Sequence, residues 1–146
     1  MKLVAQIRYS IRILLDLAMH QSKEVVTLRD ISNRQHISPK YVEKLAHTFK
    51  KAGFIESKRG CKGGHSLARN PETITLAQII QVFEKKRAYN FDQMPKGYSR
   101  YQDTLITEAW EEAKQAFYNR LEKVTLAHLS IGTTKMSWRN SDILIL

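Results

Sequence analysis

Cysteine is almost missing from this chain, with a single residue, Cys61, in 146. One thiol cannot close an internal disulfide, so nothing points to secretion, and a cytoplasmic protein is the expectation. Long apolar runs are missing as well. The stretch Ile11 to Met19 is interrupted by Arg12 and Asp16, which neither a signal-peptide core nor a membrane span would carry. Acidic side chains are the scarcer sign, 14 against 24 basic ones, for a net charge of +10. The deficit is local: residues 1–75 carry 14 basic and 6 acidic side chains, residues 76–146 carry 10 and 8. A basic half of this kind draws a polyanion by counterion release, and nucleic acid is the usual one; a solvated basic surface is the bland alternative.

Enzyme signatures are also lacking. "SKRGCKGGHSLAR", Ser57 to Arg69, gathers glycines and cations, but its lysine precedes the glycine pair, so it does not spell a Walker loop. Cys61 and His65 are two ligand types four residues apart, short of the four that a structural zinc requires. His20, His36, His47 and His128 show no ligand spacing, and Glu111 and Glu112 point to different sides of a helix. No residue pairs with Cys61 as a catalytic base. The chain is expected to have no catalytic residue, no metal site and no cofactor.

What is present is a succession of helices. Ile7, Ile11, Leu14, Leu15 and Ala18 recur at helical spacing. Thr27 caps a short second helix, with Asp30 placed for a capping box and Leu28 and Ile31 facing inward. Ser38 followed by Pro39 opens a third helix, a hydroxyl N-cap and then a proline whose missing N–H costs nothing there. Val42, Leu45, Ala46 and Phe49 form its inner stripe and Gly53 stops it near Lys51, while Lys40, Tyr41, Glu43, Lys44, His47, Lys50 and Lys51 lie outside. "FIESKR" and "HSLAR" flank "GCKGG" as the strands of a hairpin. Arg59 and Lys62 at its turn suit a minor groove, whose negative potential favours arginine.

After Asn70-Pro71, Thr75 caps a helix bearing Leu76, Ile79, Ile80 and Phe83. Residues 85–103 read as a polar connector. Ile106, Trp110, Ala113, Phe117, Leu121 and Val124 then mark a long helix too apolar for a lone surface helix, so this stripe is expected to form a dimer interface, with a core inside the chain as the alternative. "LAHL" is expected to form a last turn, and residues 132–146 look irregular.

The motifs "KLVAQIRYSIRILLDLA", "ISPKYVEKL" and "RGCKGGHSLAR", with "ITLAQIIQVFE" and "WEEAKQAFYNRLEKVTLAHL" after them, resemble the Rrf2 family of IscR-like winged-helix regulators over roughly residues 1–130. The resemblance implies a homodimer on a palindromic operator in double-stranded DNA, with a helix in each major groove and a wing in each minor groove. It implies DNA contacts from Ser38, Lys40, Tyr41, Glu43 and Lys44, from Arg59 in the wing, and from Gln6 and Tyr9 on the first helix. Glu43 stands apart, because a carboxylate accepts from cytosine N4 but is repelled by phosphate. Many members hold an iron–sulfur cluster on three connector cysteines; here the connector has none, Thr107 stands where some members place a histidine, and positions 8 and 12 are both arginine. A cysteine-ligated cluster is therefore not expected. Where the family wing usually carries tyrosine, this chain has His65, and Cys61 is unusual at its place.

The expected fold is mainly α with a small β-hairpin wing: a winged helix-turn-helix domain over residues 1–84, a connector over 85–103, a dimerisation helix region over 104–131 and a tail over 132–146. The expected function is sequence-specific transcriptional regulation, as a repressor. Cys61 is a candidate redox site, and the alternative is a protein-interaction module whose basic face meets an acidic partner.

Overall fold

A computed structural model describes residues 4–20, 26–60, 63–84 and 100–132. Helix α1 (Ala5–His20) runs through the middle of the fold and packs on α2 (Leu28–Gln35), α3 (Pro39–Lys51), strand β2 (Gly64–Leu67), α4 (Leu76–Glu84) and α6 (Leu126–Gly132). So many neighbours move its buried line. Ser10, Ile13, Leu14 and Leu17 are fully enclosed, while the expected inner residues Ile7, Ile11, Leu15 and Ala18 are half-buried flanks.

Asp16 is enclosed too, although its charge suggests solvent. The guanidinium of Arg34 grips it with Nη2 at 2.6 Å from Oδ1 and Nε at 3.1 Å from Oδ2, and Gln35 Nε2 donates to Oδ2 at 2.8 Å. A bidentate pair with an added donor satisfies the lone pairs that burial strips of water.

Thr27 caps α2 as expected: its Oγ1 accepts from Asp30 N at 3.1 Å and donates to the Asp30 carboxylate at 2.6 Å. That hydroxyl donation holds the Asp30 carboxyl below its ordinary range. His36 closes the helix in the left-handed region (φ 51°, ψ 46°), turning the chain into α3. Ser38 precedes α3, but here the expectation fails in detail. Its carbonyl accepts from Tyr41 N and Val42 N, each at 3.0 Å, whereas its hydroxyl makes no capping bond and stays exposed. Gly53, at φ +74°, ends the α3 region where a β-carbon would be strained.

Strand β1 (Ile55–Lys58) pairs antiparallel with β2, Ile55 opposite Leu67 and Lys58 opposite Gly64. Val26 adds a third rung on the far edge of β2 through reciprocal backbone bonds with His65 at 2.8 and 3.1 Å. Phe49, Phe54 and Phe83 meet edge to face (5.5 and 5.7 Å between centroids), joining α3, the hairpin and α4 in one core. A turn of 3-10 helix (Pro71–Thr73) leads to α4, where Thr75 Oγ1 accepts from Gln78 N at 3.2 Å.

The long helix, α5, spans Arg100–Glu122, so it begins four residues ahead of the expected boundary at 104. It meets α4 through Tyr118, which is buried with Ala77 and Ile80 beside Ile7 and Leu121. The Tyr118 hydroxyl is enclosed, with the Glu84 carboxylate near it but no hydrogen bond of good geometry; burial first, then that carboxylate, raises its pKa and keeps it neutral. Beyond α5 the expected last turn is a full helix, α6. Leu126 N donates to Ile74 O and Leu76 N to Val124 O, both at 2.9 Å, and α6 then lays a fully buried Leu126 into the main core against α1. Residues 85–99 of the expected connector and 133–146 of the expected tail lie outside the described residues.

Candidate nucleic-acid interface

Helices α2 and α3 and the tight left-handed turn between them place one face of α3 outward. Val42, Leu45, Ala46 and Phe49 are buried beneath it. Lys40, Glu43, Lys44 and His47 are exposed, as are Lys50 and Lys51 in the last turn, where cations suit the carbonyl end of a helix. Tyr41 is half-buried because the ring of Tyr9 meets it edge to face, 5.9 Å between centroids. The structure thus brings Tyr9 of α1 to the flank of α3, which spacing alone does not reveal.

The rest of that flank is arginine. Arg8 and Arg12 hold their guanidinium carbons 5.4 and 5.7 Å from the centre of the Tyr9 ring, within cation–π range. Arg12 also donates through Nε to Gln35 Oε1 at 3.0 Å and through Nη2 to the Gln35 carbonyl. A chain of contacts therefore runs from buried Asp16 through Gln35, Arg12 and Tyr9 to Tyr41. Gln6 lies on α1 three residues before Tyr9, half-buried, so these two can share a face. Neither Asp16 nor Gln35 is legible as part of this set in the sequence, since the partners lie 19 and 23 residues apart.

In the wing, Lys58 and Arg59 are exposed and Gly60 adopts φ +117°. Gly63 N donates to Gly60 O at 2.8 Å, so the turn is tight. Cys61 and Lys62, the remaining wing candidates, lie outside the described residues. A β-carbon on Gly63 would sit 2.4 Å from Lys58 O and 2.8 Å from Gly60 O, both backbone atoms that cannot yield. Gly63→Ala is accordingly expected to open the turn at a local cost of about 1–3 kcal/mol. Hydrogen exchange should read it as faster exchange at the hairpin amides with core amides unchanged; unaltered hairpin exchange would contradict this geometry.

Two contacts tie the wing to α3: Lys50 Nζ bonds Ser57 Oγ, and Arg69 caps the end of α3. His65, half-buried on β2, has its Nδ1 enclosed without a partner; burial first and then the Lys50 charge push its pKa down, so the wing carries it neutral. The expected dimer stripe divides. Ile106, Trp110, Ala113 and Phe117 are exposed on α5, while Leu121 and Val124 are half-buried within the chain itself. Among the described residues no helix is long and apolar enough to cross a membrane.

Comparison with known proteins gives a consistent result. The Rrf2 family model, described as an iron-dependent transcriptional regulator, matches residues 3–131. Protein rrf2 of Nitratidesulfovibrio vulgaris is 40% identical over 130 residues, covering 88% of this chain and 87% of that protein. Among solved structures, T. potens IscR superposes with a TM-score of 0.75 at 29% identity, covering 94% of this chain and 91% of that one. CymR, the global cysteine regulator of B. subtilis, gives a TM-score of 0.69 at 26% identity over 89% of this chain and 96% of that one. The iron of the family description does not fit the donors of this chain as a cysteine-held cluster. Such a cluster takes several thiolates, whereas the chain has one cysteine, and among the described residues no three of His, Cys, Asp and Glu gather to hold a metal.

Proposed function

Because the chain belongs to the Rrf2 family of winged-helix, DNA-binding transcriptional regulators, we propose that it works as a homodimeric repressor on a palindromic operator, in the cytoplasm, without a cysteine-ligated cluster. Its relatives are transcriptional regulators rather than enzymes. In this reading α3 enters the major groove, and Lys40 and Lys44 neutralise phosphate or meet guanine, the base that a cation reads through O6 and N7. Glu43 accepts from cytosine N4. Ser38, its hydroxyl free of capping, donates or accepts at the same groove, and Tyr41 stands on Tyr9 at the flank. Arg59, with Lys62, enters the minor groove, and Gln6 and Tyr9 meet the backbone from α1. The dimer is supported by the exposed Ile106, Trp110, Ala113 and Phe117, with Leu121 continuing that line against α4 and Val124 half-buried just past the helix.

The observation that carries the reading is the exposed, mostly basic outer face of α3, set on a fully buried stripe and followed directly by a basic hairpin turn. Its test contrasts neighbouring residues of opposite charge. Lys44→Ala should lower the slope of log affinity against log salt by about one unit and weaken all sequences alike. Glu43→Ala should relax the preference at one base pair, normally worth about 1–3 kcal/mol, and raise affinity for unrelated DNA. Binding titrations over a salt series, together with selection from a random duplex library, read both. Identical selected sequences for wild type and Glu43→Ala would reduce Glu43 to a surface charge.

A further inference from the structure

Arg69 belongs to the cation-rich stretch that suggests DNA binding, yet, although exposed, it bonds to its own chain. It follows β2 by two residues, and its Nε donates to Gly53 O at 3.0 Å while Nη2 donates to Ala52 O at 3.2 Å. Its guanidinium carbon also lies 4.5 Å from the centre of the Phe54 ring. One planar group thus joins three places: the exit of the hairpin, the carbonyls of Ala52 and Gly53 in the turn just past α3, and the residue that leads into β1. Arginine suits this task because its donors are set in a rigid fork and its face stacks on an aromatic ring.

The position matters because the joint it spans is short. Only Ala52, Gly53 and Phe54 separate α3 from β1, and Gly53 is in the left-handed region that gives a chain its freedom to turn. A two-stranded ribbon is marginal by itself and takes its direction from what holds its base. A strand of four residues reaches roughly 13 Å. A swing of about 10° at the base therefore moves the tip about 2 Å, enough to break a hydrogen bond. The Ala68 N bond to Phe54 O, at 2.9 Å, and the bond from Lys50 to Ser57 hold the same corner, and Val26 bonds the far edge of β2; the guanidinium adds the link from the hairpin exit to the turn that follows α3.

We infer that Arg69 is a positioning residue for the wing: it fixes the hairpin against the end of α3 and so sets where Arg59 meets the minor groove, without contacting DNA itself. The inference rests on the wing reading given above. It assigns Arg69 a different role from Lys40, Lys44 and Arg59, although all four count equally toward the net charge.

The probe is a duplex enriched by the wild-type chain from a random-sequence library, titrated with full-length protein over a salt series. Arg69→Met, which keeps the aliphatic stem over Phe54 and removes the donors, should weaken binding about tenfold at fixed salt and leave the salt slope unchanged. In an Arg59→Ala background the same substitution should cost nothing further, because the side chain that it positions has gone. A melting temperature within a few degrees of wild type separates this from general unfolding. A slope lowered by about one unit would make Arg69 a phosphate contact and overturn the inference. So would an equal loss in both backgrounds, which marks a purely structural residue, or no loss from Arg69→Met while Arg59→Ala binds weakly. If Arg59→Ala binds the duplex as tightly as wild type, the wing reading itself fails and the inference fails with it.

Discussion

Trp110→Asp is expected to turn the protein into a folded monomer. Trp110 is 69% exposed and Ile106 68% exposed on α5, with Leu105 and Phe117 also open to solvent. A tryptophan at an interface buries on the order of 200 Å², or roughly 5 kcal/mol at 25 cal/mol per Å². Two-fold symmetry counts the loss twice and brings two carboxylates into the same contact. If less than half of that doubled burial is lost in the variant, about 4 kcal/mol, the dimer dissociation constant rises about a thousandfold, which is the expected lower scale. Because Trp110 belongs to neither core cluster of the described residues, helicity should survive. Operator affinity should then drop by roughly two orders of magnitude or more, since two half-sites no longer bind as one unit. Light scattering at micromolar concentration reads the mass, and a variant that stays dimeric would show that this face of α5 is not the interface.

Leu126→Ala is expected to destabilise the whole DNA-binding unit, although residue 126 lies far from it in the chain. Leu126 is fully enclosed in the core that also holds Ile13, Leu17 and Phe49. Removing a buried leucine side chain costs about 2–5 kcal/mol, through lost transfer energy and the cavity left behind. Against a total stability of about 5–15 kcal/mol this is a large share. For a chain of this size it corresponds to a fall of roughly 10 °C in melting temperature. Thermal denaturation followed by circular dichroism checks it. A melting point within a degree or two of wild type would mean that α6 does not belong to this core.

The contrast between these two residues shows where sequence reasoning reaches. The place of Trp110 on one exposed face of α5 is legible because it repeats at helical spacing with Ile106 and Phe117. Leu126 was not, because its burial comes from the bridge between the Thr75 and Thr125 backbones, which folds a seven-residue helix back across α1. Local signals served well at α2, where the Thr27–Asp30 box is closed by two hydrogen bonds, and at Gly53, whose φ is positive. They served poorly where the partner is distant. Asp16 looks like a surface charge until Arg34 and Gln35 come from another helix to bury it. Leu121 and Val124 continue the Trp110 stripe in sequence, but the contact between α4 and α5 turns Leu121 toward its own chain, and Val124 lies past the end of α5, where its carbonyl accepts from Leu76 N. Arg69 is the sharpest case. Composition counts it with the other cations of the basic half, and only its bonds to Ala52 and Gly53 show that Nε and Nη2 are engaged within its own chain.

Selection of bound duplexes from a random-sequence library by the full-length protein tests the central claim most directly, namely that two copies present α3 and the wing to one stretch of DNA. The account predicts a single enriched motif with two-fold symmetry, its half-sites centred about one helical turn or a multiple of it apart. Binding to that motif should weaken steeply as salt rises. Failure to enrich any motif, or enrichment of one without two-fold symmetry, would contradict it.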